Sequence, residues 1–236
     1  MNYSFFKVKN DREVVRSRRV FLRKSGLGLA AAGLLIAGCA DDDMTGLNGD
    51  DAVDLGSGDF GVLNYAYALE QLEAAFYAQV LQGSYYASAN AEERQIMEDL
   101  EAHERAHREF FAAAIATVGT PIPALEVDFS SIDFGSRSSV LSTAQAFEDL
   151  GVSAYNGAGR LLQNADYLLV AGKIVSVEAR HAAAIRSINA PSDPTAFASD
   201  MIIDANGLDL ARTPAEVLSI ASAFIATPIN ASNLPG

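Results

Sequence analysis

The sequence predicts an all-α fold: a four-helix bundle, made of two antiparallel hairpins joined by a long crossover, with one further C-terminal helix. Three observations point to it. Four long stretches, at about 59–82, 90–118, 139–164 and 165–189, repeat apolar residues with helical period. The first two and the last two are separated by short turns. About twenty residues between the pairs, GTPIPALEVDFSSIDFGSRS, hold two prolines and no period. A loop that long inside a domain has a use when it carries the chain from one helical hairpin to the other. Half of the 236 residues are hydrophobic, enough for one sizeable core.

Residues 1–38 differ from the rest in charge. They hold eight of the 17 basic residues and two of the 30 acidic ones, leaving nine basic and 28 acidic residues for the remainder. A folded part that acidic disfavours nucleic acid and anionic lipid surfaces as partners and is compatible with cations. Ser17-Arg18-Arg19-Val20-Phe21-Leu22-Arg23-Lys24 precedes the apolar stretch Gly26 to Gly38, which is short for a membrane-spanning helix. Basic flank, apolar run and small residues make an export signal. The paired arginines followed by Phe-Leu resemble a twin-arginine signal, the route that carries folded proteins. Ile36-Ala37-Gly38-Cys39 resembles a lipobox, with cleavage before Cys39 and a lipid on its sulfur; that would account for the only cysteine. The alternatives are a plain signal peptide or an uncleaved anchor. The expected location is the periplasm or cell envelope, with the protein tethered to the membrane through Cys39. Residues 39–58, rich in Asp and Gly, read as the lipidated cysteine followed by a flexible linker.

The bundle is expected over 59–189. Its first helix opens on Asp59 as N-cap and runs to Gly83; its second runs from Asn90 to Gly119. Pro191 and Pro194 close the fourth. In the extension, 190–236, a helix at about 213–226 has Thr213 as cap, Pro214 in its first turn and Glu216 three residues on, and covers part of the bundle.

Polar groups interrupt the apolar stripes of these helices. In VSVEARHAAAI, Glu178 and His181 share a face with Ile174, Ile185 and Ile188. The second helix repeats the pair as Glu104 and His107, in a stripe with Ile96, Leu100 and Phe111. The first and third helices each carry a Glu with a Tyr seven residues later, Glu70 with Tyr77 and Glu148 with Tyr155. The halves therefore repeat as Glu…Tyr then Glu-x-x-His, offset by 78 residues for the first pair and 74 for the second.

Two divalent cations held close together need anionic charge to offset their repulsion. Carboxylates can bridge both, and one imidazole per ion fixes geometry while leaving positions open. Glu70, Glu104, His107, Glu148, Glu178 and His181 are thus the candidate metal ligands; four carboxylates and two neutral histidines would neutralise two M²⁺ ions. A buried Glu–His ion pair is the plain alternative, weakened by its occurring twice. Glu73 competes with Glu70 for the first-helix role, but in the repeat Glu70 aligns with Glu148 and Glu73 with Gly151. Glu73 is then either a carboxylate behind the ligands or a solvated charge. His103 aligns with Val177, against a ligand role. Tyr77 and Tyr155 either donate hydrogen bonds to ligating carboxylates or pack in the core. Arg105 and Arg180 read as solvated.

These motifs resemble the ferritin-like superfamily that includes ferritins, bacterioferritins and rubrerythrins. LNYAYALEQLEAAFY is similar, more narrowly, to the start of exported bacterial ferritin-like proteins, some described as desiccation-related. In bacterioferritins and rubrerythrins a Tyr follows the first ligand Glu by seven positions, which Tyr77 matches. The resemblance implies two Fe ions, or two Mn ions, reacting with O₂ or H₂O₂ as an oxidase, peroxidase or catalase-like protein. A non-enzymatic metal-binding or structural envelope protein of desiccation or oxidative stress is the alternative. There is no Cys-x-x-Cys for a rubredoxin-like iron centre, and no Met is placed for an intersubunit haem. The long loop and tail depart from cage-forming ferritins, so a storage shell is not implied; a homodimer is compatible with the pattern.

Overall fold

The computed structural model describes residues 52–235. Residues 1–51, where the export signal, the lipidated Cys39 and most of the linker are expected, lie outside the described residues. After a two-residue strand β1 (Val53–Asp54), the chain forms helices α1 (Gly58–Val80), α2 (Ser84–Ser88), α3 (Ala91–Ile115), α4 (Arg137–Gly159), α5 (Ala165–Asn189) and α6 (Pro214–Ala221), then strand β2 (Ile229–Asn230). Helices α1 and α3 pack as one hairpin and α4 and α5 as the other. The crossover between α3 and α4 runs over residues 116–136. Among the described residues no helix is long and apolar enough to cross a membrane.

Local chemistry accounts for most boundaries. Asn90 caps α3 by accepting from the Glu93 N–H at 2.9 Å, and Asn164 caps α5 by accepting from the Asp166 N–H at 2.9 Å. Thr213 and Glu216 close a capping box on α6, with Pro214 in its first turn. Two expectations need correction. Ser57, not Asp59, occupies the N-cap of α1. The Asp59 carboxylate is engaged elsewhere, accepting from the Gln163 and Asn164 N–H groups at 2.7 and 2.8 Å. It pins the first helix to the turn between α4 and α5. Helix α6 also stops at Ala221, short of residue 226, because the chain leaves the helix to pair with the crossover. Asp128 N–H donates to Phe224 O at 2.9 Å, and Ala226 N–H to Glu126 O at 2.8 Å. The short α2 gave no periodic signal in five residues.

Residues 53–55, expected to lie in a flexible linker, are packed against the domain. Val53–Asp54 pairs in parallel with Ile229–Asn230, and Leu55 is fully buried. The apolar residues of VDL find partners in the C-terminal extension, a contact too distant in sequence for composition to reveal.

Phe76 sits at the centre of the core, with the rings of Tyr77, Phe129, Phe134 and Phe147 at centroid distances of 5.0 to 6.0 Å. The crossover is tied to α1 by two buried amides. Asn64 accepts from the Ile122 N–H at 3.2 Å and donates to Leu55 O at 3.0 Å. Gln71 accepts from the Leu125 N–H at 2.9 Å and donates to Pro123 O at 3.3 Å. These bonds satisfy backbone groups in a segment without regular structure. Asn64→Ala leaves two buried groups unpaired and is expected to destabilise the protein by about 2–4 kcal/mol. Urea unfolding checks this, and a change below about 0.5 kcal/mol would contradict it.

Candidate metal centre

The four long helices each direct one glutamate to the bundle axis. Glu70 (α1), Glu104 (α3), Glu148 (α4) and Glu178 (α5) are all fully buried. The Glu-x-x-His spacing puts His107 and His181 one turn along the same faces. His107 Nδ1 lies 2.9 Å from Glu178 Oε1, 3.3 Å from Glu104 Oε2 and 3.4 Å from Glu70 Oε2. His181 Nδ1 lies 2.6 Å from Glu104 Oε1 and 3.5 Å from Glu148 Oε2 and Glu178 Oε2. The side chains form two overlapping groups, Glu70–Glu104–His107–Glu178 and Glu104–Glu148–Glu178–His181, in each of which one ligand atom per residue falls within 4.8 Å of the others. Glu104 and Glu178 belong to both.

The tyrosines cross between the halves. Tyr77 on α1 donates to Glu148 Oε1 at 2.5 Å, and Tyr155 on α4 donates to Glu70 Oε1. Each Tyr thus orients the carboxylate of the opposite hairpin and leaves that carboxylate's other oxygen, Glu148 Oε2 or Glu70 Oε2, without a hydrogen-bond partner. Glu104 Oε1, both oxygens of Glu178 and His181 Nδ1 are also buried without one; the 2.6 Å approach of His181 to Glu104 does not have hydrogen-bond geometry. Buried carboxylates are costly unless paired or bound to a metal. Six buried ligand-type atoms without hydrogen-bond partners, facing one small volume, fit a pair of divalent cations.

Protonation follows from crowding. Burial, opposed by the His107 contact and reinforced by Glu178 and Glu104, raises the Glu70 carboxyl to about 8. Burial likewise raises Glu148 to about 8, with His181 opposing and Glu104 adding. Burial also acts on Glu104, but the His107 and His181 imidazoles outweigh it and hold the carboxyl down at about 2. Burial disfavours charge on both histidines, yet the surrounding carboxylates prevail and raise each to about 12. Without a cation, then, both imidazoles carry protons at neutral pH. A cation must displace them, so binding tightens as pH rises. Each ion is expected to bind at least about tenfold tighter per pH unit between pH 6 and 8. Calorimetric titration with Mn²⁺ across that range reads the slope, and a flat profile would contradict it.

Glu73 belongs to neither group, yet it is buried, which rules out a solvated charge. Burial and then the four nearby glutamates push its carboxyl well up. Its side chain fills the space over Gly151, where a Cβ would come within 2.9 Å of Glu73 Oε1. The Glu73–Gly151 mismatch in the repeat is thus a matched large–small contact. Arg105 and Arg180 are exposed.

Two features escaped sequence reading. His103, set aside as a ligand, places its Nδ1 3.0 Å from His181 Nε2. Its position four residues before His107 was the available signal. Buried Arg186 grips Asp149, next to Glu148, through bonds of 2.8 and 2.5 Å and braces α4 against α5. One Arg among several on the helices carried no mark of burial.

A helical bundle with carboxylates converging from all four long helices and imidazoles from two of them has an arrangement that can hold metal in its core. The chain belongs to the ferritin-like domain family, whose model matches residues 58–190. No curated protein matches the chain in sequence.

Proposed function

We propose that this protein is exported by the twin-arginine route, tethered to the cell envelope by a lipid on Cys39, and holds two iron or two manganese ions that react with O₂ or H₂O₂. The role is protective, as an oxidase, peroxidase or catalase-like protein of oxidative stress or drying. The observation that carries the reading is the set of orphaned carboxylate oxygens and inward imidazole nitrogens converging on one point of the bundle. A bound pair of such ions supplies redox equivalents at adjacent positions.

The chain's own groups supply the rest. Glu104 and Glu178, common to both groups, would be shared by the two ions, while Glu70 with His107 and Glu148 with His181 would complete one position each. Tyr77 and Tyr155 hold the terminal carboxylates at one oxygen, leaving the other for the ion. The surrounding core keeps bulk water from the centre. Folded export would let the site load in the cytoplasm, where metal supply is controlled.

The test is metal analysis of the full chain purified from its native compartment, followed by mixing the loaded protein with O₂ or H₂O₂. Two ions per chain and an absorbance change with either oxidant are expected. Silence with both at full occupancy would leave a metal-holding envelope protein and refute the redox reading. Membrane fractionation of Cys39→Ala tests the tether, which predicts release of the protein into the soluble fraction.

A further inference from the structure

The two halves of the centre are alike in their ligands and unlike immediately behind them. The repeat that equates Glu104 with Glu178 and His107 with His181 also equates His103 with Val177. His181 turns Nδ1 inward and Nε2 toward His103 Nδ1, at 3.0 Å. The two ring planes lie within 13° and their centroids are 5.2 Å apart. That separation, with nitrogens 3.0 Å apart, is what two imidazoles reach when they meet edge to edge, the geometry of an in-plane hydrogen bond. With the inward nitrogen needed as a lone-pair ligand, Nε2 of His181 carries the proton and His103 Nδ1 accepts it.

His107 has no equivalent. Its Nδ1 also turns inward, but among the described residues its Nε2 has no hydrogen-bond partner. The residue at the matching place, Val177, has no polar side-chain atom. The His107 side chain is 14% exposed against 6% for His181. One imidazole is therefore held from behind and buried, and the other is unsupported and nearer solvent. A hydrogen bond on the outer nitrogen of a metal-bound histidine fixes its tautomer and ring plane and raises its basicity.

We infer that the two ion positions are inequivalent, and that His103 is the positioning residue that makes them so. It orients His181 for a tightly retained ion beside Glu148, while the ion beside Glu70 and His107 binds more weakly and exchanges. This rests on the reading that the cluster holds two ions. Its consequence is ordered loading, the Glu148–His181 position first, so that a second metal of different kind can enter the other position. His103 belongs to neither ligand group, and its Nδ1 meets His181. It is exposed, so replacing it spares the core.

The experiment is calorimetric titration of the metal-stripped full chain with Mn²⁺ under argon, for wild type, His103→Leu, His103→Gln and Val177→His, each checked for an unchanged melting profile. Wild type is expected to bind two ions in steps at least about tenfold apart in affinity. His103→Leu should weaken the tighter step by about 10- to 100-fold and leave the weaker one within about threefold. His103→Gln, which keeps an acceptor, should recover most of the loss. Val177→His should tighten the weaker step. Equal steps in wild type, or a His103→Leu effect shared equally by both steps, would overturn the inference and leave the dinuclear centre standing. A wild type that takes up no second ion would overturn the centre itself, and the inference with it.

Discussion

Replacing Glu178 with alanine is expected to cost the protein both ions, whereas replacing Glu148 with alanine costs one. Glu178 belongs to both ligand groups, while Glu148 belongs only to the group with His181. Without Glu178, each position keeps three ligating residues and the charge balance falls one short for two divalent cations. The second ion then repels the first with less to screen it. Metal content after desalting should fall from about two per chain toward zero for Glu178→Ala, and toward one for Glu148→Ala. The metal-free fold should survive both changes. The glutamates already oppose one another there, since nearby carboxylates add to the burial that raises Glu70 and Glu148. Removing one relieves that repulsion while leaving a small cavity. Elemental analysis and thermal unfolding of the same samples separate the outcomes, and equal loss in both variants would refute the bridging role.

Among the glycine-to-alanine changes, Gly157→Ala is expected to be the most damaging. A methyl group at Gly157 would overlap the backbone carbonyl of Arg212, which crosses α4 at that point. The crossing is held by Arg212 N–H donating to Ser153 O at 3.0 Å and by its guanidinium donating to Ser153 Oγ at 2.7 Å. Backbone meets backbone here, so no side chain can turn aside, and overpacking of this kind costs about 1–3 kcal/mol or more. The segment leading into α6 should detach, uncovering Val217 and Ala221, which lie in the main core. Limited proteolysis should cut the variant near residue 212 at least about tenfold faster. Gly159→Ala, two residues on, is the control. Its Cβ would meet only Leu168 Cδ1, at 3.6 Å. It should change stability by less than about 1 kcal/mol. Similar behaviour of the two variants would refute the close-approach account.

The helices and the convergent side chains were legible because both are written in local spacing. Apolar residues three and four apart mark a helix face, and Glu-x-x-His on that face sends two ligand-type groups the same way. The internal repeat then separated Glu70 from Glu73 without coordinates. Boundaries were less legible where a capping side chain had a distant competitor. Asp59 has the chemistry of an N-cap, yet it serves backbone groups at residues 163 and 164, in the connection between α4 and α5.

By itself, then, the sequence determined the all-α class, the four long helices and the identity of the groups that meet on the bundle axis. Tertiary structure alone decided how those groups are shared and supported. It decided that Tyr77 serves Glu148 and Tyr155 serves Glu70, that Asn64 and Gln71 carry the crossover, and that His103 backs His181 while His107 has only Val177 in the matching place. The reason is range. Helical periodicity speaks for neighbours within a turn or two, whereas these contacts join residues 54 to 85 positions apart, and only the packing of the hairpins and the crossover on one another brings them within reach.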